Sequence, residues 1–241
     1  DNRKNRAGVL KATEIVDLID NTALCALTIM NTVETIGPRF GDVMQGMYVL
    51  SDAYSKMEYT DLPESIDWME HLELLGAIRL SRNIKLNKFE DFYARALNGY
   101  ACVGIRKESD NYKTAIELLK SIQIGECGLR DNILLDGYVR LDVPNKDYIE
   151  RMILTDKNGI HKIRPDEKDV FIRIWYMYEK DDELQKKVNK NFMDMWDSFE
   201  PLEKIHKWWN SIPMSYDITQ VGKILAHTNA KRCAPSLPDL L

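Results

Sequence analysis

The side chains best suited to holding an anionic ligand lie in two short runs towards the C-terminal end. Lys204, His206, Lys207, Trp208, Trp209 and Asn210 put cations, two indoles and an amide within one predicted helix, and Lys223, His227, Lys231 and Arg232 follow on the next. Indole faces stack bases or meet cations, and lysine ammonium groups hold phosphates. Lys207, Trp208, Trp209, Asn210, Lys223, His227 and Lys231 are therefore the candidate ligand-binding residues, and an anionic nucleotide or a single-stranded oligonucleotide is the ligand class they suit. A structural reading competes, because a Trp-Trp pair beside a proline also suits core and boundary packing. On the last helix the wheel places Val221, Ile224, Leu225 and Thr228 on one face and Lys223, His227 and Lys231 on another. Arg232 falls on the apolar side, which predicts a structural role near the helix end, held by a carboxylate or by backbone carbonyls.

The inventory for catalysis is mostly negative. The four histidines, His71, His161, His206 and His227, are scattered without metal-ligand spacing, so neither a metal nor another cofactor is expected. No GxSxG, GxGxxG or GxxxxGK[ST] run occurs, which removes the sequence support for nucleophile-elbow hydrolases, dinucleotide enzymes and P-loop NTPases. Cys25, Cys102, Cys127 and Cys233 are far apart and form no CxxC, which fits a reducing cytoplasm better than a disulfide framework. The expectation is a binding or regulatory module, with an enzyme built from dispersed residues as an alternative.

Composition bounds the class. At 241 residues, 44% hydrophobic and 29% charged, the chain buries a sizeable core without covalent staples. A net charge of −5 disfavours coating of nucleic acid by the whole surface. No secretory leader is apparent, and the apolar stretch Ala23–Met30 is too short to span a bilayer. The opening in a charged segment without an initiator methionine reads as a fragment, whose whole would sit in the cytoplasm or on the cytosolic face of the inner membrane.

Helical periodicity dominates. Helices are predicted around Val9–Ile19, around Leu24–Val33 after an Asp20 cap, and from an Asp42 cap through Tyr54. They continue at Pro63–Leu75, Phe89–Tyr100, Asn111–Ile122, Leu129–Leu141, Asn145–Leu154, Asp166–Tyr178 and Asp182–Phe199, then from Pro201 through Trp209 and from Gln220 to Arg232. Gly99 and Gly137, each followed by tyrosine, read as helix bends or ends. Short alternating runs at Ala77–Arg82 and Ser215–Thr219 predict two strands that pair antiparallel. A third strand, Ile160–Arg164, follows the turn Asp156–Gly159, and the tail Ala234–Leu241 is expected to be extended.

The expected fold is a mainly α, single helical domain over 1–241 with a winged-helix-like element, whose wing is the two-stranded pair. In this reading 1–82 plus 213–241 form that element and 83–212 are a large helical insertion. The helix Pro63–Leu75 carries Glu64, Asp67, Glu70 and Glu73 with no lysine or arginine, so duplex phosphates would repel it. Protein contact or assembly suits it better, although a winged-helix DNA-binding regulator is the alternative. Apolar-rich helices with outward Met44, Tyr48 and Trp68 predict a homo-oligomer.

The run Tyr216–Arg232, YDITQVGKILAHTNAKR, followed by Leu237-Pro238, resembles the C-terminal signature of a poorly characterised family of bacterial antiviral-defence proteins. The segments LELLGAIRL (Leu72–Leu80) and LLDGYVRL (Leu134–Leu141) are similar to it as well. The resemblance implies a regulatory, ligand-sensing or assembly domain, with a partner protein from a defence operon. It extends to the membrane effector of the Hailong system, in which a cytosolic domain would gate a channel in response to an oligonucleotide. The membrane segment that such an effector needs is not in this sequence, and no functional residue is carried over.

Overall fold

The computed structural model describes residues 2–124, 128–156 and 159–237 and is mainly helical with small antiparallel sheets. Its helices are α1 (Asn2–Ile15), α2 (Asn21–Thr35), α3 (Val43–Met57), α4 (Asp67–Leu74), α5 (Phe89–Ala96), α6 (Asp110–Ser121), α7 (Pro165–Trp175), α8 (Asp182–Asp197), α9 (Glu200–Ser211) and α10 (Gln220–Cys233). The strands are β1 (Ile78–Ser81), β2 (Ile105–Arg106), β3 (Leu129–Asp131), β4 (Tyr138–Leu141), β5 (Ile153–Asp156), β6 (Gly159–Lys162) and β7 (Ser215–Ile218). Two compact units result. The first is Asp1–Ile36, Val49–Phe89 and Phe199–Leu241; the second is Gly37–Tyr48 and Glu90–Ser198.

In the first unit, α2 starts where the Asp20 carboxylate accepts the Ala23 N–H at 2.8 Å, a short polar side chain satisfying an orphan donor. From Ala23 to Val33 nearly every side chain of α2 is buried, so this helix runs through the core. α10 packs along it through Gly222, Leu225, Ala226, Asn229 and Ala230. That face is displaced by about one residue from the one expected, and Thr228 is exposed. Small residues are what allow two helix backbones to approach closely, so size outranked hydrophobicity in choosing the face. Asn229 answers the polar groups there: its amide donates to Thr28 Oγ1 at 2.9 Å and Tyr59 Oη at 3.2 Å, while its oxygen accepts from Arg232 Nε and Nη2 at 3.0 and 2.9 Å. Arg232 also lies 5.3 Å from the Tyr59 ring centre. It is structural as expected, but an amide oxygen and a ring hold it instead of a carboxylate or carbonyls.

β1 and β7 pair antiparallel with Ile78 opposite Ile218 and Leu80 opposite Tyr216, as the alternation predicted. Thr219 joins the ribbon to α10: its N–H donates to the Ala77 carbonyl at 3.0 Å, its hydroxyl donates to the Gly76 carbonyl at 2.7 Å, and it accepts the Gly222 N–H at 3.2 Å. A Cβ on Gly222 would stand 2.0 Å from the Ala77 oxygen, so only glycine fits this crossing. α4 begins at Asp67, later than the expected Pro63. Its Glu73 turns back to accept the Leu80 N–H at 2.9 Å and Arg82 Nη2 at 2.9 Å. The bond from Leu80, with Arg82 second, holds that carboxyl below its usual range. Trp68, expected to face outward, is buried and packs on Trp208 with ring centres 5.7 Å apart.

The second unit departs most from expectation. Residues 129–141, expected as a helix, form β3 and β4 of a three-stranded antiparallel sheet in the order β2-β4-β3, with Leu129 opposite Leu141 and Arg130 opposite Arg140. β4 is the central strand and all four of its residues are buried, which erases the in–out alternation by which a strand is recognised. Gly137 enters β4 at φ +82, a left-handed conformation that favours glycine. Buried Arg140 donates to the carbonyls of Gly41 at 2.6 Å and Leu141 at 3.0 Å and lies over the Tyr100 ring. The expected helix Asn145–Leu154 is instead a 3₁₀ turn, Lys146–Arg151, followed by β5, which pairs with β6. The stretch 83–212 is therefore not wholly helical. Its core gathers Ile105, Leu119, Val139, Leu141, Phe171 and Ile174 among others. Cys127, Lys157, Asn158 and Pro238 lie outside the described residues. Among the described residues no helix is long and apolar enough to cross a membrane.

Two stability outcomes follow from the first unit. Gly222→Ala should lower the free energy of unfolding by about 1–3 kcal/mol, the usual range for overpacking against atoms that must move, as read by urea denaturation. Because the Glu73 pKa is depressed by folding, its contribution is present above the ordinary carboxylate range and is lost as pH falls through the folded pKa. Glu73→Gln should therefore melt below the parent at neutral pH and converge with it in acid, as followed by circular dichroism.

Candidate functional site

The seven residues singled out in the sequence are dispersed in use. Trp208 and Trp209 are 7% and 2% exposed, and their indole N–H groups donate to the carbonyls of Pro63 at 3.0 Å and Asn87 at 2.9 Å. Phe89 and Tyr216 pack edge-on against Trp209, so neither indole offers a face for a base. Asn210 accepts the Phe89 N–H at 2.9 Å, starting α5. Lys207 is exposed and bridges to Glu203 one helical turn away. On α10, Lys223 is exposed and His227 half-buried, but Lys231 is drawn off the expected stripe to donate to the Leu237 carbonyl at 2.7 Å. These side chains build the first unit more than they line a site.

An exposed aromatic ring among cations does occur, in the second unit. A cleft of about 430 Å³ is lined by Ile105, Arg106, Ser109, Asn111 and the segment Tyr176–Lys180, a volume within the range of small-molecule pockets. One wall is the turn from β2 into α6, where Ser109 caps the helix by accepting the Tyr112 N–H at 3.1 Å and donating to the Arg106 carbonyl at 2.7 Å. Glu108 precedes it at φ 66, a conformation that few non-glycine residues adopt. The opposite wall follows the end of α7. Three bonds fix it: Asn111 donates to the Met177 carbonyl at 3.2 Å, the Glu179 N–H donates to the Gly104 carbonyl at 2.8 Å, and Tyr178 Oη accepts the Leu141 N–H at 2.8 Å. Burial pushes the Tyr178 phenol well above its ordinary value, so it stays neutral.

The electrostatics are basic with one acid. Arg106 donates to Tyr138 Oη from Nε at 3.3 Å and Nη2 at 3.2 Å, with its guanidinium 5.7 Å from that ring centre. Tyr176 is 63% exposed. Lys146 Nζ donates to its hydroxyl at 2.9 Å and stands 4.5 Å from its ring centre. The Lys146 hydrogen bond and charge, with the further charge of Lys180, lower the Tyr176 phenol below its ordinary value. An aromatic face and three cations are the surfaces and donors that hold an anion bearing a flat group, while Ser109 and Asn111 spend hydrogen bonds on the Arg106 and Met177 carbonyls that shape the walls. No spacing or motif in the sequence points to this grouping, because Arg106–Asn111 and Tyr176–Lys180 meet only through the fold.

Comparison of the chain with protein-family models, curated proteins and solved structures finds no match.

Lys146→Gln should raise the Tyr176 phenol pKa towards its ordinary value by removing both leading causes of the depression. A spectrophotometric phenol titration, with Tyr176→Phe to assign the signal, reads the shift.

Proposed function

We propose that this chain is a non-catalytic, ligand-sensing regulatory domain of a bacterial antiphage defence protein, and that its ligand is an anionic nucleotide held in the cleft between β2–α6 and the end of α7. The observation that carries the reading is the 63% exposed ring of Tyr176 beside Lys146, at a cleft also lined by Arg106 and Lys180. The family resemblance supplies the defence context and a partner protein from the same operon, the dispersed cysteines support a cytoplasmic or cytosolic-face location, and the exposed Tyr48 supports a homo-oligomer.

The first unit supports assembly in the same reading. Its β1–β7 ribbon beside α4 and α10 is read as winged-helix-like, and α4 uses its acids on Leu80 and Arg82. An acidic helix is a poor reader of a duplex groove, so protein contact is the use proposed for this element.

Isothermal titration at two salt concentrations, with mononucleotides, single-stranded oligonucleotides and duplex DNA, tests the reading. Mononucleotide binding should weaken as salt rises, because exposed charges are screened, and duplex DNA should bind no more tightly than inorganic phosphate. Arg106→Glu with Lys180→Glu should reduce the affinity at least about tenfold at low salt, while the melting temperature changes little. Unchanged nucleotide affinity in that double variant overturns the site.

A further inference from the structure

The one carboxylate among the cleft-lining residues, Glu179, has no side-chain hydrogen bond or ion pair among the described residues, although its charge acts on nearby Arg106. Arg106 instead donates from Nε and Nη2 to Tyr138 Oη. The neighbouring Lys180 ammonium is likewise uncommitted, and its charge reaches Tyr176. The Glu179 position is set by its own N–H, which donates to the Gly104 carbonyl at 2.8 Å. Gly104 stands at φ +83, where a Cβ would meet the Val139 oxygen at 2.2 Å. The backbone that presents Glu179 is thus seated on the Gly104 turn against β4.

A carboxylate in a cleft for a bare phosphate or sulfate would weaken binding by like-charge repulsion. A ligand that carries both an anion and hydroxyl donors turns the same group to advantage, since an ionised carboxylate is an acceptor only. Acidic side chains accept from ribose hydroxyls in this way in nucleotide-binding folds. A zwitterionic amino acid would also satisfy an acid and a base, but it leaves the exposed Tyr176 ring without a flat partner.

We infer that the ligand is a ribonucleoside monophosphate, with its ribose hydroxyls donating to the Glu179 carboxylate, its phosphate on Arg106 and Lys180, and its base against Tyr176. The inference rests on the anion-ligand reading of the cleft and adds selection for ribose over deoxyribose.

The test is calorimetric titration of the whole chain at low salt with adenosine monophosphate, its 2′-deoxy and 3′-deoxy forms, inorganic phosphate and a zwitterionic amino acid. The ribonucleotide is expected to bind roughly tenfold more tightly than at least one of the deoxy forms, the scale of a charge-assisted hydrogen bond at an exposed site. Glu179→Gln should shrink that ratio towards one while leaving phosphate binding no weaker. If neither nucleotide nor phosphate binds, the cleft reading fails and this inference falls with it. If nucleotides bind but all three sugars bind equally, or the ratio persists in Glu179→Gln, the cleft stands and the ribose assignment alone is overturned. An amino acid binding more tightly than the ribonucleotide overturns the ligand class. Should Glu179→Gln fail to fold by circular dichroism, the three sugars compared on the parent chain still decide it.

Discussion

The first unit depends on one close approach, the passage of α10 over the Ala77 carbonyl. Gly222 leaves room for that oxygen, and Thr219 spends both its N–H and its hydroxyl on the carbonyls at the end of α4 and the start of β1. The two partners are more than 140 residues apart in sequence. Once they meet, the β1–β7 register follows, and with it the line of α10 along α2 that brings Asn229 to Thr28 and Tyr59. A side chain at residue 222 would obstruct all of these together.

The second unit solves a different problem, the burial of polar groups beside a short sheet. Arg140 brings a guanidinium to backbone carbonyls, and Asn132 donates to the carbonyls of Cys102 and Val103 while accepting the Leu134 N–H. Buried donors and acceptors of this kind are costly unless matched, so they specify one arrangement of the strands. Arg130 adds a partly exposed fork, with Asp142 on two nitrogens and Asp42 on the third. Asp42 also accepts the Gln45 N–H and so caps α3. The walls of the cleft inherit their position from this frame through Tyr178 and Gly104.

What was legible in the sequence was local. Asp20, Asp42 and Thr219 cap helices because a short polar side chain before an apolar repeat has few other uses, and Ile78 and Leu80 against Tyr216 and Ile218 show the period of two that a ribbon with one covered face requires. Leu134, Leu135, Tyr138 and Leu141 misled because their spacing imitates a helix while the strand they partly form is buried on both sides. Trp208 and Trp209 had the chemistry of a stacking site, but their N–H groups were needed by Pro63 and Asn87 and their rings by the core. The cleft was not legible, since its walls come from segments about seventy residues apart whose meeting depends on long-range pairing.

The division of the first unit into separate stretches of chain also sets an order of events during synthesis. α2, buried on nearly every side, is complete at Thr35, whereas its partner α10 ends at Cys233. At roughly 5–20 residues per second the ribosome needs on the order of 10–40 s to make the intervening chain. For that interval the nascent polypeptide has α3 and α4 to pack on α2 but lacks the α10 face that covers it in the finished fold, while the continuous stretch from Glu90 to Ser198 emerges whole and before α10. The α10 side of α2 is therefore among the last surfaces of this unit to be covered during synthesis.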